Sequence, residues 1–401
     1  MTNTYLENTT ELLNEAQQSI LFTTIRPNIV MDYGKGMYLW DTDKKKYLDF
    51  IGGWAVTCLG HCPDAIRLAL AHQTTQLINA SPSFLNTPMI NFAKLLIEHS
   101  CFDRVFFTNS GAEANEGAIK LARKHGTIKL NGACEIITAV NSFHGRTLAT
   151  MSATGKEKWQ ALFEPKVGGF NHVPLNDIDA IKTALSPNTC AIMLEPIQGE
   201  GGVIESKETY IKALRQLCDE TGILLIFDEV QTGIGRTGKL FAYEHYGIEP
   251  DIITLAKGIG GGFPLSALLT KEKFNIFEAG DQGGTYSGQP LAMAVGYAVV
   301  NEVIKNNLAA NAAKQGTYLC NKLRDISAKF NLANIRGKGL LVAFDLPTSN
   351  GSKIVAECLN EGLIINSPRP SIIRLMPPLI VTSEDIDTMI EILAKVLTKL
   401  T

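Results

Sequence analysis

Two stretches of the chain decide the fold that we predict: Ile223-Leu224-Leu225-Ile226-Phe227-Asp228-Glu229 and Ile252-Ile253-Thr254-Leu255-Ala256-Lys257-Gly258. Each begins with a short apolar run and then ends abruptly in an ionisable residue. Runs of this kind are typical of strands that are buried on both faces, as in a parallel sheet. Because open α/β sheets bind ligands at the carboxyl ends of their strands, Asp228 and Lys257 are expected at the ligand-binding edge.

This pair of side chains suits one cofactor, pyridoxal phosphate, which needs a lysine for covalent attachment and an acid beside its ring nitrogen. A plainer interpretation stays open on these stretches alone. Many α/β domains carry an acid at a strand end, and Lys257 could be a surface lysine before the glycines at 258 and 260–262.

The junction after the predicted strand 104–108 favours a phosphate site. Ser110 and Glu113 have the spacing of a capping box at the start of a helix. The backbone N–H groups of Ser110, Gly111 and Ala112 would then be free to bind phosphate at the helix N-terminus. A plain helix cap would explain the same residues.

Two further strand ends carry candidate ligand groups. After the predicted strand 135–139, Phe143 could stack on a flat ring and Arg146 could bind a carboxylate, although each is also ordinary in the core or at the surface. After the predicted strand 189–196 comes a glycine-rich loop that carries Glu200. Near the C-terminus, Arg374 lies in an apolar stretch, where a charged residue usually has an anionic partner.

Strands and helices alternate from about residue 100 to 270, which predicts an α/β fold with a large, mostly parallel, doubly wound sheet. We predict a helix over residues 1–20 and a β-hairpin over 37–50. The chain is divided as follows: an N-terminal segment 1–60 that contributes to a smaller domain, a large cofactor-binding domain 61–305 and a smaller α+β domain 306–401.

Composition excludes several classes of protein. A net charge of −3 gives no reason to expect nucleic acid or an anionic membrane as partner. No apolar run is long enough to predict a membrane span, and residues 1–7 lack the pattern of a secretory signal. Cys58, His61 and Cys62 lie close together without a fourth ligand at zinc spacing, so we expect reduced thiols in a cytoplasmic protein and no metal.

The motifs, taken together, resemble those of a known family. Ser110-Gly111-Ala112-Glu113-Ala114, Phe143-His144-Gly145-Arg146-Thr147, residues 195–202 (Glu-Pro-Ile-Gln-Gly-Glu-Gly-Gly), residues 227–233 (Phe-Asp-Glu-Val-Gln-Thr-Gly), Ala256-Lys257-Gly258 and Gly284-Thr285 follow the order found in class III aminotransferases. Those enzymes depend on pyridoxal phosphate and have fold type I. The resemblance extends from about residue 20 to the end of the chain, and it is strongest to the acetylornithine aminotransferase branch.

The resemblance implies roles at the cofactor. Lys257 would attach the cofactor and move a proton at the substrate carbon, and Asp228 would pair with the ring nitrogen. Gln231 would bind the phenolic oxygen, Phe143 would stack on the ring, and Ser110, Gly111 and Ala112 would bind the phosphate. Glu229 and Val230 complete the cofactor-binding set, and Thr285 would reach the phosphate of a neighbouring subunit in a homodimer with shared active sites.

It also implies roles at the substrates, which would be small molecules. Arg374 would bind the α-carboxylate of 2-oxoglutarate or glutamate, Arg146 would bind the carboxylate of an acylated ornithine, and Glu200 would neutralise Arg374 when the amino donor has no carboxylate there. The expected reaction converts N-acetylornithine and 2-oxoglutarate to N-acetylglutamate 5-semialdehyde and glutamate, in arginine biosynthesis.

Two departures from the family pattern leave the amino donor open. Trp54 stands where a smaller aliphatic residue or a tyrosine is usual, and Gly284 stands where a serine often precedes the threonine. Both are counted among the candidate substrate-binding residues. N-Succinylornithine, succinyldiaminopimelate, ornithine and 4-aminobutyrate are therefore alternative donors. An isomerase, a decarboxylase or a non-catalytic relative is disfavoured because Arg374, Glu200, Lys257 and Asp228 are all present.

Overall fold

The structure, a computed structural model, describes residues 8–159 and 162–400. The helices are α1 (Thr9–Ser19), α2 (Gly52–Ala55), α3 (Asp64–Gln73), α4 (Thr87–Glu98), α5 (Gly111–Lys129), α6 (Leu148–Ala153), α7 (Ile178–Ala184), α8 (Glu208–Thr221), α9 (Pro290–Lys305), α10 (Leu308–Phe330), α11 (Gly351–Asn360) and α12 (Ser383–Leu400). The helix predicted over residues 1–20 corresponds to α1. Residues 1–7 of that prediction lie outside the described residues.

The strands are β1 (Met31–Lys35), β2 (Tyr38–Asp41), β3 (Lys46–Asp49), β4 (Arg104–Thr108), β5 (Glu135–Ala139), β6 (Phe170–Val173), β7 (Thr189–Leu194), β8 (Ile197–Gln198), β9 (Ile204–Glu205), β10 (Leu224–Asp228), β11 (Ile252–Leu255), β12 (Ser266–Thr270), β13 (Ala333–Lys338), β14 (Leu341–Asp345), β15 (Leu363–Ile364), β16 (Asn366–Arg369) and β17 (Ile372–Leu375). The predicted hairpin is confirmed, since β2 and β3 pair antiparallel.

A seven-stranded sheet, in the order β4-β12-β11-β10-β7-β5-β6, forms the centre of the molecule. Every residue of β7, β10 and β11 is buried, as expected of strands with helices packed on both faces. The predicted α/β class with a mostly parallel sheet is confirmed. The antiparallel strand β12 was not predicted, and it runs against both β11 and β4. Residues 256–265, which connect β11 to β12, are too few for a parallel arrangement of these two strands. Parallel neighbours need a connection of a dozen or more residues that crosses back along the sheet.

The parallel arrangement collects the predicted motifs at one edge of this sheet. β10 and β11 are neighbours with Asp228 opposite Thr254, so Asp228 and Lys257 leave the sheet at the same edge. β12 runs antiparallel to both of its neighbours, and Thr108 at the end of β4 pairs with Ser266 at the start of β12. Consequently, the N-terminus of α5 lies at this edge as well.

Two smaller sheets bring the chain ends together. β3 pairs in parallel with β15, which joins the N-terminal strands to the C-terminal part of the chain. β13, β14, β17 and β16 form the second sheet, in that order. Arg374, on β17, is opposite Ala343 of β14 and is fully buried. The boundaries that we predicted between the domains stay a prediction.

The element α2 is unusual because its four residues have left-handed backbone conformations, with φ between 57° and 69°. Left-handed residues normally occur singly, since each costs a non-glycine residue roughly 1–2 kcal/mol. The carboxylate of Asp49 holds the turn by accepting the N–H groups of Ile51 and Gly52. A Cβ at Gly52 would lie 2.9 Å from the Met376 carbonyl oxygen, so only glycine fits. This strained turn carries Trp54.

Within the described ranges, none of the helices combines the length and the apolar character that crossing a membrane requires.

Candidate active site

A cavity of about 330 Å³ opens at the carboxyl edge of the central sheet. It is lined by nine of the residues that the sequence predicted: Ser110, Gly111, Ala112, Phe143, Glu200, Asp228, Val230, Gln231 and Lys257. Four further lining residues with ionisable or amide side chains were not predicted: Asn109, Asn115, His144 and Glu195.

One end of the cavity is the N-terminus of α5. The predicted capping box is confirmed, because the Ser110 side chain accepts the Glu113 N–H while the Glu113 carboxylate accepts the Ser110 N–H. Gly111 and Ala112 occupy the first turn, where backbone N–H groups lack partners within the helix. A Cβ at Gly111 would lie 2.9 Å from Val230 Cγ1, so a larger residue would close this cradle.

Asp228 is held at the end of β10 by three polar neighbours. Its Oδ2 accepts a hydrogen bond from Asn115 Nδ2 at 2.8 Å and lies 2.8 Å from His144 Nδ1, and its Oδ1 accepts the Val230 N–H at 3.0 Å. Asn115 is itself oriented by Thr254, whose hydroxyl donates to Asn115 Oδ1 at 2.6 Å. These contacts fix the carboxylate in one orientation toward the cavity.

Asn115 and His144 were not predicted from the sequence, although Asn115 directly follows the motif at 110–114 and His144 lies in the motif at 143–147. Asn115 is in the second turn of α5, and His144 follows Phe143; both are buried. The sequence did contain a signal for Asn115: it is a polar residue about one turn after the capping box, on the face of the helix that is otherwise apolar. Which group it would contact depended on the packing of α5 over β10 and β11.

Lys257 follows β11 in a short 3₁₀ turn, Lys257–Ile259, with φ of 49°. Its amine makes no hydrogen bond or ion pair with the residues that the structure describes. Burial lowers the pKa of this amine, although the Glu200 carboxylate opposes the shift. A lowered pKa favours the neutral amine, which is the form that acts as a nucleophile or a base.

The other end of the cavity carries a buried ion pair. Arg374 Nη2 lies 2.7 Å from Glu200 Oε1, so the anionic partner expected for Arg374 is present and is Glu200. Asn366 Oδ1 accepts from Arg374 Nε at 3.1 Å and from Nη2 at 2.8 Å, and Gln231 Oε1 accepts from Nη1 at 3.3 Å. Although burial opposes it, the Arg374 guanidinium lowers the pKa of Glu200, which is therefore charged near neutral pH.

Glu229, which was predicted at the cofactor, lies away from the cavity lining. Its carboxylate accepts the backbone N–H groups of Ala242 and Tyr243 and does not line the cavity. Successive side chains of an extended chain point to opposite sides, so when Asp228 faces the cavity its neighbour faces the protein interior. Burial raises the pKa of Glu229 to about 8, while the two N–H groups oppose the shift. Glu229 therefore stabilises the turn that begins at Ala242.

Arg374, although it pairs with the lining residue Glu200, is outside the cavity lining, and so are four other predicted residues. The Trp54 ring lies 5.8 Å from Arg374 Cζ and is half-exposed. Arg146 is exposed, with its guanidinium 4.8 Å from the ring of Trp159. Gly284 and Thr285 are exposed on the segment that precedes α9. Their predicted roles at a substrate or in a neighbouring subunit stay predictions.

Two ionisable groups at or near the cavity, Glu195 and Lys156, were not predicted, because no local pattern in the sequence relates them to the other site residues. Glu195 Oε2 accepts the Phe143 N–H at 3.0 Å, its Oε1 accepts the Gly199 N–H at 3.3 Å, and burial raises its pKa to about 7. Lys156 Nζ lies 3.8 Å from Glu200 Oε2 and 4.9 Å from the centre of the Phe143 ring.

The residues present fit pyridoxal phosphate. The cavity presents an amine without a partner among the described residues, a carboxylate held in one orientation, an aromatic ring and the N–H groups of a helix N-terminus. Lys257 would hold the aldehyde end, Asp228 the ring nitrogen, and Gly111 and Ala112 the phosphate. A cavity of this size is in the range of small-cofactor sites, which are roughly 300–1,000 Å³.

Comparisons with known proteins agree with this geometry. Residues 23–397 match the family model of the class III aminotransferases. The acetylornithine aminotransferase of Ralstonia nicotianae is 52% identical over 387 residues, which cover 95% of this chain and 97% of that protein.

Solved structures show the same fold. The acetylornithine aminotransferase of Elizabethkingia anophelis superposes with a TM-score of 0.87 at 32% identity, covering 98% of this chain and 99% of that one. The ornithine aminotransferase of Toxoplasma gondii, in which pyridoxal phosphate partly occupies the active site, superposes with a TM-score of 0.93 at 30% identity, covering 98% and 95%.

Proposed function

Because the chain belongs to the class III aminotransferase family, we propose that it transfers the terminal amino group of N-acetylornithine to 2-oxoglutarate. The products are N-acetylglutamate 5-semialdehyde and glutamate, and the pathway is arginine biosynthesis. Support comes from the 52% identity to an acetylornithine aminotransferase along almost the whole chain. The observation that carries the proposal is the ion pair of Glu200 with the buried Arg374.

This ion pair suits an enzyme that binds two different substrates in one cavity. N-Acetylornithine reacts at its terminal amine, where its carbon chain is apolar, whereas 2-oxoglutarate carries a carboxylate next to the reacting carbon. An unpaired guanidinium beside an apolar chain costs several kcal/mol, so Glu200 neutralises Arg374 in the first half-reaction. In the second, the α-carboxylate of the keto acid replaces Glu200 on Arg374 in a bidentate contact.

Pyridoxal phosphate, when bound, supplies an electron sink for the charge that develops at the reacting carbon of the substrate. Asp228, held by Asn115, His144 and the Val230 N–H, keeps the ring nitrogen protonated. Lys257 would move the proton at the reacting carbon, because burial lowers the pKa of its amine and so favours the neutral form. Phe143 and Val230, which line the cavity, would shield the ring from water.

A homodimer accounts for two features of the surface. Thr285, assigned to the phosphate of a neighbouring subunit, is exposed and lies outside the cavity lining of its own chain. A groove between α3, α4 and α9 exposes large apolar side chains, namely Leu77, Leu85, Ile90 and Tyr297. Exposed apolar surface of this kind marks interaction sites.

All eight cysteines are unpaired, which suits a reducing, cytoplasmic compartment.

A second candidate is the same chemistry with ornithine or another ω-amine as donor. The observation that favours it is Trp54, whose ring lies 5.8 Å from the Arg374 guanidinium in a strained turn, where it would narrow the space for an acylated donor. Replacing Trp54 with Leu, which has no branch at Cβ and so suits the left-handed backbone better than Ile, would then raise the rate with N-acetylornithine by at least about threefold, because the space beside Arg374 becomes larger by roughly two methylene groups. An unchanged or lower rate would mean that Trp54 does not restrict this donor.

Absorbance of the cofactor in the purified, loaded protein tests the proposal. Without keto acid, N-acetylornithine, N-succinylornithine, ornithine and 4-aminobutyrate are added separately, and conversion of the cofactor from its aldehyde to its amine form is timed. N-Acetylornithine is expected to react fastest, by about tenfold or more, because one lost contact in the transition state has this effect. If ornithine or 4-aminobutyrate reacts fastest, the family and the cofactor stand and the assigned donor is wrong.

A further inference from the structure

We propose that Lys156 is a positioning residue that holds the Glu200 carboxylate when the keto acid has displaced it from Arg374. The proposal rests on the proposed function only in that the enzyme must accept a keto acid. It does not depend on which amine is the donor.

The two oxygens of Glu200 face two different cations. Oε1 lies 2.7 Å from Arg374 Nη2, whereas Oε2 lies 3.8 Å from Lys156 Nζ. The first contact is a charge-assisted hydrogen bond, and the second is an ion pair that is still too long for one. A displacement of roughly 1 Å toward Lys156 would therefore turn the second contact into a hydrogen bond.

Glu200 has little access to solvent to compensate for losing a cation. Its side chain is 22% exposed, and that of Lys156 is 15% exposed. A carboxylate that left Arg374 in this environment without a second partner would carry a large desolvation cost. Lys156 removes that cost, because the charge of Glu200 is paired both before and after the exchange. The Lys156 ammonium also contributes to the lowered pKa of Glu200, after the opposing effect of burial and the larger contribution of Arg374.

The backbone explains why Lys156 lies here. The preceding Gly155 forms a parallel bridge with Val140, and its carbonyl oxygen accepts the Asn141 N–H at 2.7 Å. A Cβ at Gly155 would lie 2.2 Å from the Ala139 carbonyl oxygen, so only glycine permits this approach. The segment is thus fastened to the end of β5, next to the loop that carries Phe143.

The Lys156 ammonium is further fixed by two aromatic rings. Its Nζ lies 4.9 Å from the ring centre of Phe143 and 4.9 Å from that of Trp159. Cations within about 6 Å of a ring centre are attracted to the face of the ring. These contacts hold the ammonium near Glu200.

The test compares both half-reactions of the loaded enzyme in the wild type, Lys156→Gln, Lys156→Arg and a control, Lys305→Gln, in which the lysine is exposed at the end of α9. Lys156→Gln should raise the KM for 2-oxoglutarate about tenfold, because one partly buried ion pair is lost. The amine-donor half-reaction, in which Glu200 stays on Arg374, should change less than about twofold. Lys156→Arg keeps the charge and should recover most of the loss.

A double-mutant cycle separates an action through Glu200 from direct contact with substrate. In the Glu200→Gln background, replacement of Lys156 by Gln should have no further effect on the 2-oxoglutarate half-reaction, since the charge that Lys156 holds is gone. A further tenfold loss in that background would mean that Lys156 binds the keto acid itself, and the proposal would be wrong. Equal losses in both half-reactions, or no loss in either, would also overturn it.

A binding measurement provides a readout that does not depend on turnover. Glutarate, a dicarboxylate that cannot react, is titrated into each variant by calorimetry. Its Kd should rise about tenfold in Lys156→Gln and remain unchanged in Lys305→Gln. Because this test uses no amine donor, it can fail only with the Lys156 proposal, whereas a wrong donor assignment would leave it intact.

Discussion

The two ends of the cavity are built in different ways. At the cofactor end, the Asp228 carboxylate has three contacts, all from residues at the edge of one sheet or in the helix and loop packed on it. At the substrate end, Glu200, Arg374 and Lys156 come from three distant segments, and the single carboxylate faces two cations. The first end holds a charge in one orientation, whereas the second allows a charge to exchange partners.

Asp228→Asn should impair the cofactor end of the cavity and have the largest effect on the reaction rates. Loss of the charge opposite the ring nitrogen is expected to slow both half-reactions about a hundred- to a thousandfold, as for other preorganised charges in active sites. Rapid mixing with each substrate measures the two rates. The control is Asp179→Asn, in the exposed first turn of α7. A nearly normal rate in Asp228→Asn would mean that another group holds the ring nitrogen.

Arg374→Ala should impair only the substrate end of the cavity, and therefore mainly the half-reaction with 2-oxoglutarate. The 2-oxoglutarate half-reaction is expected to slow about a hundredfold, because a buried bidentate partner of the α-carboxylate is removed. The amine-donor half-reaction should slow less than about tenfold, since that substrate has no carboxylate at Arg374. The exposed Arg324→Ala serves as a control. Equal losses in the two half-reactions would contradict the division of the cavity into two ends.

Asn115→Ala tests how far the orientation of Asp228 depends on its neighbours. Removal of one buried hydrogen bond to a charged group should slow both half-reactions about tenfold, and to the same extent. Thr254→Val, which removes only the hydroxyl that orients Asn115, should have a smaller effect of the same kind. If Asn115→Ala instead affected one substrate alone, Asn115 would belong to the substrate end.

Glu195 offers a smaller test through the pH dependence of stability. Its pKa is raised to about 7 by burial, from the ordinary 4.5, so between these pH values the folded protein holds a proton that the unfolded chain has released. The free energy of unfolding should therefore fall as the pH rises from 4.5 to 7, by at most about 3 kcal/mol. Urea unfolding of the cofactor-free protein measures this slope. Glu195→Gln, which stays neutral, should flatten it, and an unchanged slope would assign the pH dependence to other groups.

The cofactor end was largely predictable from the sequence, because each of its features is local. The apolar runs before Asp228 and Lys257 predicted buried strands, and the capping box at Ser110 predicted the start of α5; the structure confirms both. The position of Glu229 was not predictable, because the pattern of a strand end does not say which of two adjacent carboxylates faces the cavity.

The substrate end could be predicted only in part. A buried arginine requires an anion, and the resemblance to a family implied Glu200, but no local pattern relates Lys156 to Glu200. That contact requires two segments to pack beside the end of β5. Gly155 bridges Val140, and Gly201, in the loop 199–202, lies close to the carbonyl oxygen of Asn141.

The sequence by itself therefore determined the class of fold, the edge of the sheet at which the cavity opens and most of the residues that line it, because strand burial and helix capping depend on neighbours within a few positions. Only the tertiary structure decided that Asn115 and His144 hold Asp228 and that Glu200 lies between Arg374 and Lys156. Such contacts join residues far apart in the chain, and their distances are set by how helices, loops and sheets pack.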